Sequence, residues 1–204
     1  MSALPHTPGV AFELDGQPIT ARPGETILKA AQRHGVEIPH LCYTDGLRPD
    51  GNCRACVVEI AGERTLAPSC CRAPTEGMKV QAASPRARKS QQMVVEMLLS
   101  DMPDTGYRWN DSGINAPELI AASAYPSSTS GQFESKNPET IGQHGELSAW
   151  ADRLGVSVRP ALQALRREQP AADLSHPAMA VNLDACIQCN RCVRACREEQ
   201  VNDV

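Results

Sequence analysis

The sequence predicts an α+β chain of several segments, and three features of its hydrophobic pattern carry that prediction. Near the start, a short β-rich run is followed by a hairpin turn signal and an apolar helical stripe. From Ser84 the apolar period changes to that of a helix, and from Glu146 two more short helical patterns follow. The predicted segments are a mixed α/β domain at 8–85, a connecting helix at 86–102, a linker at 103–145, a short helical segment at 146–175 and a C-terminal segment at 176–204.

The N-terminal elements follow a hairpin-then-helix order. The run VAFEL at residues 10–14 meets a return strand at residues 18–21 across Asp15-Gly16, which is a hairpin turn pair. A helix then opens near Thr26, and Gly35 stands where a C-terminal cap glycine belongs. This order is how a β-grasp domain begins. The apolar stripe of the helix and the later strand candidates are Ile27, Leu28, Ala30, Ala31 and residues 57–60 and 79–82.

Four cysteines follow this helix in a C-x10-C-x2-C-x13-C arrangement. Thiolate sulfur is soft and selects zinc, cuprous copper or iron–sulfur clusters. The stretch between the first two cysteines is rich in turn formers, so it is expected to be a loop that directs backbone N–H groups toward cluster sulfurs. The pattern favours a [2Fe–2S] cluster on Cys42, Cys53, Cys56 and Cys70.

Two other uses of these cysteines stay open. A zinc ribbon would need a second C-x-x-C pair, and here the second half offers only Cys70 and Cys71. Adjacent residues of an extended segment point to opposite faces, so these two are not expected to bind one tetrahedral metal together. Disulfides are disfavoured because the N-terminus does not resemble a secretion signal.

A second cysteine motif closes the sequence, with C-x2-C-x2-C-x3-C spacing at Cys186, Cys189, Cys192 and Cys196. This is the spacing of one half of a bacterial [4Fe–4S] ferredoxin, in which the fourth cysteine ligates the other cluster. No second quartet follows before Val204. Either the polypeptide continues beyond it, which we expect, or Cys196 closes a single cluster itself.

Three arginines, Arg191, Arg194 and Arg197, recur every third residue beside this motif. They either offset the negative charge of a thiolate-bound cluster or form an exposed basic helix edge. The sequence does not decide between these two interpretations.

Composition and charge restrict the possible classes of function. The 204 residues carry 20 basic and 24 acidic side chains, a net charge of −4, which gives no reason to expect nucleic acid binding. No apolar run approaches the length of a membrane span. Nine cysteines without a secretion signal indicate a reducing cytoplasm in which thiols bind metals.

The remaining segments are connectors. In the helix expected from Ser84 to Asp101, the side chains Met93, Val94, Met97 and Leu98 would fall close together. Residues 103–145 are rich in Ser, Gly, Asn, Pro and Thr, a composition typical of a flexible linker. Two short helices are expected at 146–154 and 159–168, the first with an apolar face of Leu147, Trp150, Ala151 and Leu154, the second with Leu162 and Leu165.

Two stretches of the chain resemble a known family. CYTDGLRPDGNCRACVVE with LAPSC, and NLDACIQCNRCVRACREEQVNDV, resemble the N-terminal iron–sulfur region of the catalytic alpha subunit of soluble, NAD-dependent molybdenum formate dehydrogenases. The same domain type opens the large iron–sulfur subunit of complex I and of NAD-reducing hydrogenases. In those relatives a His-plus-three-Cys motif follows this domain. Residues 101–179 lack that motif, so the resemblance favours the formate dehydrogenases.

The resemblance implies a fold, ligands and partners. It implies a β-grasp domain, the [2Fe–2S] ligands Cys42, Cys53, Cys56 and Cys70, and a bystander role for Cys71. It implies an electron relay between a molybdenum site, whose molybdopterin belongs to a missing downstream part or a partner, and flavin/NAD-binding diaphorase subunits. No catalytic residue lies within this chain on that interpretation. The alternatives are a stand-alone ferredoxin-like carrier, a subunit of a hydrogenase or NADH dehydrogenase-type complex, and a zinc-stapled structural protein.

Overall fold

The computed structural model describes residues 9–102, 146–168, 170–171, 173–181, 183 and 186–201. The chain divides into two compact units, residues 1–95 with 188–204, and residues 96–187. The predicted linker at 103–145 lies outside the described residues.

The first unit contains a five-stranded mixed sheet. Its strands are β1 (Val10–Leu14), β2 (Gln17–Ala21), β3 (Val57–Ile60), β4 (Ala67–Pro68) and β5 (Lys79–Gln81). Their order in the sheet is β2-β1-β5-β3-β4, with β1 and β5 parallel and all other neighbours antiparallel. A mixed sheet beside helices confirms the predicted α+β class. The two-residue strand β4 was not predicted, because a strand that short leaves no alternating pattern to detect.

The N-terminal hairpin and helix form as predicted. Asp15 and Gly16 both have positive φ, 49° and 82°, as a tight hairpin turn between right-twisted strands requires. Helix α1 (Ile27–Arg33) begins after Thr26, whose hydroxyl accepts a hydrogen bond from the Lys29 N–H at 3.4 Å. Gly35 has a φ of 76° just beyond the end of the helix, so the predicted cap glycine is confirmed.

The core of the first unit lies between this helix and the sheet. The predicted helical stripe is fully buried, and it joins the inward-facing residues of all five strands in one cluster. Because aromatic residues make up only 3% of the chain, aliphatic side chains supply most of that burial. The central members are Phe12, Leu14, Ile19, Ile27, Leu28, Ala30, Ala31, Val58, Ile60 and Val80.

Helix α2 (Pro85–Ser100) confirms the predicted helix but buries a different face. The Ser84 hydroxyl caps it by accepting from the Ala87 N–H at 3.1 Å. The side chains of Ala87, Gln91 and Val95, spaced four residues apart, are buried. Met93 and Met97, expected in one apolar group, are 48% and 61% exposed. The buried polar Gln91 explains the difference, because it places a hydrogen-bonding residue on the inner face.

The second unit contains helices α3 (Glu146–Leu154) and α4 (Pro160–Gln163) and a hairpin of β6 (Asp173–His176) with β7 (Met179–Val181). Helix α3 has the predicted bounds, with Leu147 and Ala151 buried. The guanidinium of Arg159 makes a bidentate pair with Glu96, at 2.7 Å and 2.9 Å, which holds the pKa of that carboxyl below its usual value. The β6–β7 hairpin was not predicted.

Helix α4 is shorter than the sequence pattern indicated. It ends at Gln163 rather than near residue 168, and Leu165 is 77% exposed instead of packed. The N–H of Arg167 donates to the carboxylate of Asp101 at 3.3 Å, so this N–H is not used to continue the helix. Tertiary hydrogen bonding therefore overrides the local helical pattern there.

The C-terminal residues of the first unit form a short helix α5 (Arg191–Arg194) and a π-helical turn (Ala195–Glu199). Across the described residues, no helix combines the length and the apolar character that a membrane crossing requires.

Candidate functional site

The four cysteines of the first motif converge from three parts of the first unit. Cys42 lies in the loop after α1, Cys53 and Cys56 precede β3, and Cys70 follows β4. Cys42, Cys56 and Cys70 are at most 1% exposed, and Cys53 is partly exposed. The loops around the sheet therefore bring all four sulfurs into one largely buried place.

Hydrogen bonding among the thiols shows how closely Cys42 and Cys53 are paired. The Cys53 thiol, followed by that of Cys70, lowers the pKa of Cys42 by donating to its sulfur. The same contact with Cys42, together with burial, raises the pKa of Cys53.

Cys70 lies between Cys42 and Cys56. The Cys70 thiol lowers the pKa of Cys56, and contact with the sulfurs of Cys42 and Cys56 raises the pKa of Cys70. The sulfurs therefore follow one another in the order Cys53, Cys42, Cys70, Cys56. A [2Fe–2S] cluster takes four thiolate ligands, and these four neighbouring cysteines fit it.

Backbone N–H groups of the loop before Cys53 reach the sulfur of Cys42, while the predicted N–H contacts to the sulfurs of a cluster stay a prediction. The Cys53 N–H donates to the Cys42 sulfur at 3.4 Å, and the Asn52 N–H also stabilises the Cys42 thiolate. Arg54 adopts a φ of 59°, which is rare for a residue with a side chain. Such backbone strain is found where surrounding structure fixes a functional loop.

Gly51 allows this loop to pack against the turn that carries Cys70 and Cys71. A Cβ atom at Gly51 would lie 2.9 Å from the Cys71 sulfur, and its φ is 63°. The sequence-based expectation for Cys71 needs correction, because residues 69–71 form a turn rather than an extended segment. The sulfurs of Cys70 and Cys71 consequently lie 3.6 Å apart instead of on opposite faces.

The second motif is placed differently. Cys186, Cys189 and Cys196 are partly exposed and Cys192 is exposed, and the boundary between the two units falls after Ile187. Among the described residues these four cysteines do not form a group around one metal ion. A [4Fe–4S] cluster on this motif therefore stays a prediction.

Residues 188–201 contribute to the first site, which sequence reasoning missed. Within the first unit, the guanidinium of Arg194 donates to the carbonyl oxygen of Cys42 at 2.5 Å and to that of Arg48 at 2.5 Å. Arg194 is only 8% exposed, so it is not part of an exposed basic edge. Its three-residue spacing from Arg191 and Arg197 was visible in the sequence, but the difference in burial was not.

Comparison with known proteins identifies the N-terminal domain. Residues 7–85 match the family described as "2Fe-2S iron-sulfur cluster binding domain". These residues include all four cysteines of the first motif. The match agrees with the paired sulfurs and the supporting N–H groups described above.

Longer similarities extend across most of the chain. A subunit of the NADH-quinone oxidoreductase of Rhizobium meliloti (strain 1021) is 28% identical over 190 residues, covering 93% of this chain and 19% of that protein. NADP-reducing hydrogenase subunit HndD of Solidesulfovibrio fructosivorans is 30% identical over 204 residues, covering 94% and 28%. The chain thus spans less than a third of these relatives.

A solved structure is also similar. A chain of an NAD⁺-reducing [NiFe]-hydrogenase in its H2-reduced state superposes with a TM-score of 0.65 at 26% identity, over 93% of this chain and 67% of that one. Residues 7–85 are therefore a [2Fe–2S] cluster-binding domain, related to those of NADH-quinone oxidoreductase and NAD-linked hydrogenase subunits.

Proposed function

We propose that this chain is the iron–sulfur electron-transfer segment of a multi-subunit, NAD-linked oxidoreductase, with Cys42, Cys53, Cys56 and Cys70 as its [2Fe–2S] ligands. The observation that carries the proposal is that these four cysteines lie close together and largely buried within a cluster-binding domain. When bound, such a cluster accepts and donates one electron at a time. We assign the mixed sheet and α1 to the β-grasp fold.

The residues of the chain would hold and insulate this centre. Burial of Cys42, Cys56 and Cys70 keeps water from three of the sulfurs, while the partly exposed Cys53 leaves one side near the surface. Backbone N–H groups at the Cys42 sulfur offset negative charge there. No group of this chain is assigned a catalytic role, and its task is electron relay.

A second cluster completes the proposed relay. Its [4Fe–4S] ligands are Cys186, Cys189 and Cys192, with Cys196 either closing the same cluster or ligating another one. Support comes from the C-x2-C-x2-C-x3-C spacing alone. Use of these thiols for metal binding fits a reducing, cytoplasmic location.

Among NAD-linked enzymes, we favour a formate dehydrogenase. The two cysteine stretches resemble its alpha subunit in their residues, and residues 101–179 lack the His-plus-three-Cys motif expected of the complex I branch. Electrons from a molybdenum–molybdopterin site elsewhere in the protein or in a partner would then pass to flavin/NAD-binding subunits.

The second candidate is a subunit of an NAD(P)-linked hydrogenase. It is favoured by the similarity that covers 93% of this chain in the NAD⁺-reducing [NiFe]-hydrogenase structure, and by the 30% identity to an NADP-reducing hydrogenase subunit. Both candidates use the same relay and differ in the electron donor.

Metal analysis of the 204-residue chain tests the relay itself. Anaerobic reconstitution with iron and sulfide is expected to give a brown protein whose reduced form has a [2Fe–2S] EPR signal. Cys189→Ser is expected to remove a separate [4Fe–4S] signal and to leave the first unchanged. A colourless protein that holds zinc and no acid-labile sulfide would overturn the proposal in favour of a structural zinc protein.

The enzyme class is tested on the native complex, purified through a tag on this chain. Formate-dependent reduction of NAD⁺ with molybdenum present would support the formate dehydrogenase. Hydrogen-dependent reduction with nickel or additional iron would support the hydrogenase instead. A 22.0 kDa protein without partners would indicate a stand-alone carrier.

A further inference from the structure

We propose that Arg194 is a positioning residue for the [2Fe–2S] centre, supplied by the second cysteine motif to the loop that carries the first. The inference rests on the ligand assignment proposed above, in particular on Cys42. It concerns residues of the first unit only.

The loop from Cys42 to Cys53 is called the cluster loop. The contacts of Arg194 reach both ends of its first part, residues 42–48. Nη2 donates to the Cys42 carbonyl and Nη1 to the Arg48 carbonyl, each at 2.5 Å. One planar group thus fixes the backbone at a proposed ligand and at a residue six positions later. Neither carbonyl lies in a regular element, so the loop has no sheet or helix ladder to hold it there.

Two further hydrogen bonds hold the same C-terminal segment against the loop. The Arg48 N–H donates to the carboxylate of Glu198 at 3.1 Å. The side-chain amide of Asn52 donates to the Gln188 carbonyl at 3.3 Å. Arg194 therefore acts from a segment that is attached at three points to the loop between Cys42 and Cys53.

The charge of Arg194 has no carboxylate partner among the residues that the structure describes. Among the ion pairs within the described residues, none involves Arg194, although the side chain is only 8% exposed. Its Nε is buried and has no hydrogen-bond partner. A buried cation with an unsatisfied N–H is costly unless a negative group compensates for it. The proposed [2Fe–2S] cluster, ligated by Cys42 whose carbonyl accepts from Arg194, would supply such a charge.

Two consequences follow for the centre. The paired hydrogen bonds restrict the Cys42 backbone, and with it the position of the Cys42 sulfur. The positive charge favours the reduced, more negative state of the cluster and so raises its reduction potential. Arg197, three residues further along and exposed, shares the charge but makes neither of these carbonyl contacts.

The test is an EPR-monitored redox titration of the full 204-residue chain, with Arg194→Gln compared with Arg197→Gln. Arg194→Gln is expected to favour the oxidised form of the [2Fe–2S] centre about tenfold. This corresponds to a decrease of about 59 mV in its one-electron reduction potential. Arg197→Gln is expected to change it much less. Arg194→Lys, which keeps the charge but cannot span both carbonyls, should retain more of the potential while broadening the EPR signal.

Loss of the [2Fe–2S] centre in Arg194→Gln, with hydrogen exchange of the sheet amides unchanged, would also support the positioning role. If Arg194→Gln does not fold, Arg194→Met, which fills a similar volume, is the second variant. Loss of the sheet in both variants would overturn the proposal, because Arg194 would then be a general structural residue. Equal potentials and cluster contents in Arg194→Gln and Arg197→Gln would overturn it as well.

Failure of the ligand assignment has a different signature. An incorrect ligand assignment would show as absence of the [2Fe–2S] EPR signal in the unsubstituted chain, or as retention of that signal in Cys42→Ser. Neither result depends on the behaviour of the Arg194 variants.

Discussion

The sulfur atoms of Cys70 and Cys71 lie 3.6 Å apart, although Cys70 is fully buried and Cys71 is exposed. The tight turn after β4 produces this relationship, because the N–H groups of Cys71 and Arg72 both donate to the carbonyl of Pro68 at 3.0 Å. Cys71 is thus adjacent to the four inward sulfurs without being one of them. This makes it a matched control for each proposed ligand.

Substitution of Cys70 is expected to abolish the [2Fe–2S] centre. Cys70→Ser removes a thiolate from a set of four, and a neutral hydroxyl is a poor ligand for iron. Iron and sulfide content and the reduced EPR signal measure the effect, and Cys71→Ser should leave all three unchanged. If Cys70→Ser keeps its cluster, the double variant Cys70→Ser/Cys71→Ser decides whether Cys71 has replaced it. Retention in the double variant would contradict the assignment of Cys70.

Gly51→Ala is expected to destabilise the cluster loop. The added methyl group would lie 2.9 Å from the Cys71 sulfur, and a φ of 63° is unfavourable for alanine. We expect a loss of about 2–3 kcal/mol in the free energy of unfolding of the metal-free chain, measured in urea.

The matched control is Gly62→Ala. Gly62 has a φ of 85° but nothing within 4 Å of the added carbon, so its loss should be about 1 kcal/mol. Adding Cys71→Ala to Gly51→Ala should recover the difference between the two glycine variants. Equal losses for Gly51→Ala and Gly62→Ala would show that the contact with Cys71 has no cost.

Gln91→Leu is expected to weaken the packing of α2 against the sheet. The buried Gln91 amide donates to the carbonyls of Val57 at 2.9 Å and Ala82 at 3.1 Å, and leucine leaves both without this donor. We expect a loss of about 2 kcal/mol in the free energy of unfolding. Met93→Gln on the exposed side of the helix should change it by less than about 0.5 kcal/mol. Similar small values for both would mean that other donors or water satisfy these carbonyls.

Acid is expected to weaken the contact between Glu25 and Arg33. Hydrogen bonds from the Arg33 guanidinium, at 3.1 Å and 2.9 Å, lower the pKa of Glu25 below its usual 4.5, and the Arg22 N–H adds to this effect. Since the folded-state pKa is depressed, the stabilisation is complete above the unfolded-state pKa. It is lost as the pH falls below about 4.5 and through the folded-state value.

Unfolding of Glu25→Gln compared with the unsubstituted chain at pH 7 and at pH 3 measures this contribution. The difference should be about 1 kcal/mol at neutral pH, reduced by the partial exposure of Arg33, and should shrink in acid. Lys79, whose pair with Glu13 at 3.7 Å is largely exposed, offers the control Glu13→Gln, which should change the free energy of unfolding at pH 7 much less than Glu25→Gln does. A difference for Glu25→Gln that is independent of pH would contradict the ionic origin.

Local signals were sufficient for the elements that lie close in sequence. Asp15-Gly16 predicted the hairpin, Ser84 predicted the start of α2, and the apolar stripe of α1 predicted its buried face. The C-x10-C-x2-C-x13-C spacing predicted Cys42, Cys53, Cys56 and Cys70 as one ligand set, because side-chain type and spacing restrict metal ligation. Their role as cluster ligands stays a prediction.

Features that depend on distant partners could not be predicted in this way. The chain after helix α4 contacts Asp101 through the Arg167 N–H, and the inner face of α2 carries a glutamine that donates to the carbonyls of Val57 in β3 and of Ala82 just after β5. Arg194 looked equivalent to Arg191 and Arg197 in the sequence, and its burial and its contacts with the Cys42 and Arg48 carbonyls distinguish it. In each case a polar side chain forms a hydrogen bond with a residue distant in the sequence, and such a contact leaves no periodic pattern in the sequence.

The parallel pairing of β1 with β5 has a consequence for the order of folding. It joins Glu13 to Lys79 across the sheet, so every cysteine of the first motif lies inside the chain segment that this pairing closes. Contacts of such sequence separation form late, since the entropy of closing the segment is lost before the strands gain their hydrogen bonds. The hairpin and α1 are therefore expected to form first. We then expect cluster insertion to favour chains in which β5 has already paired with β1.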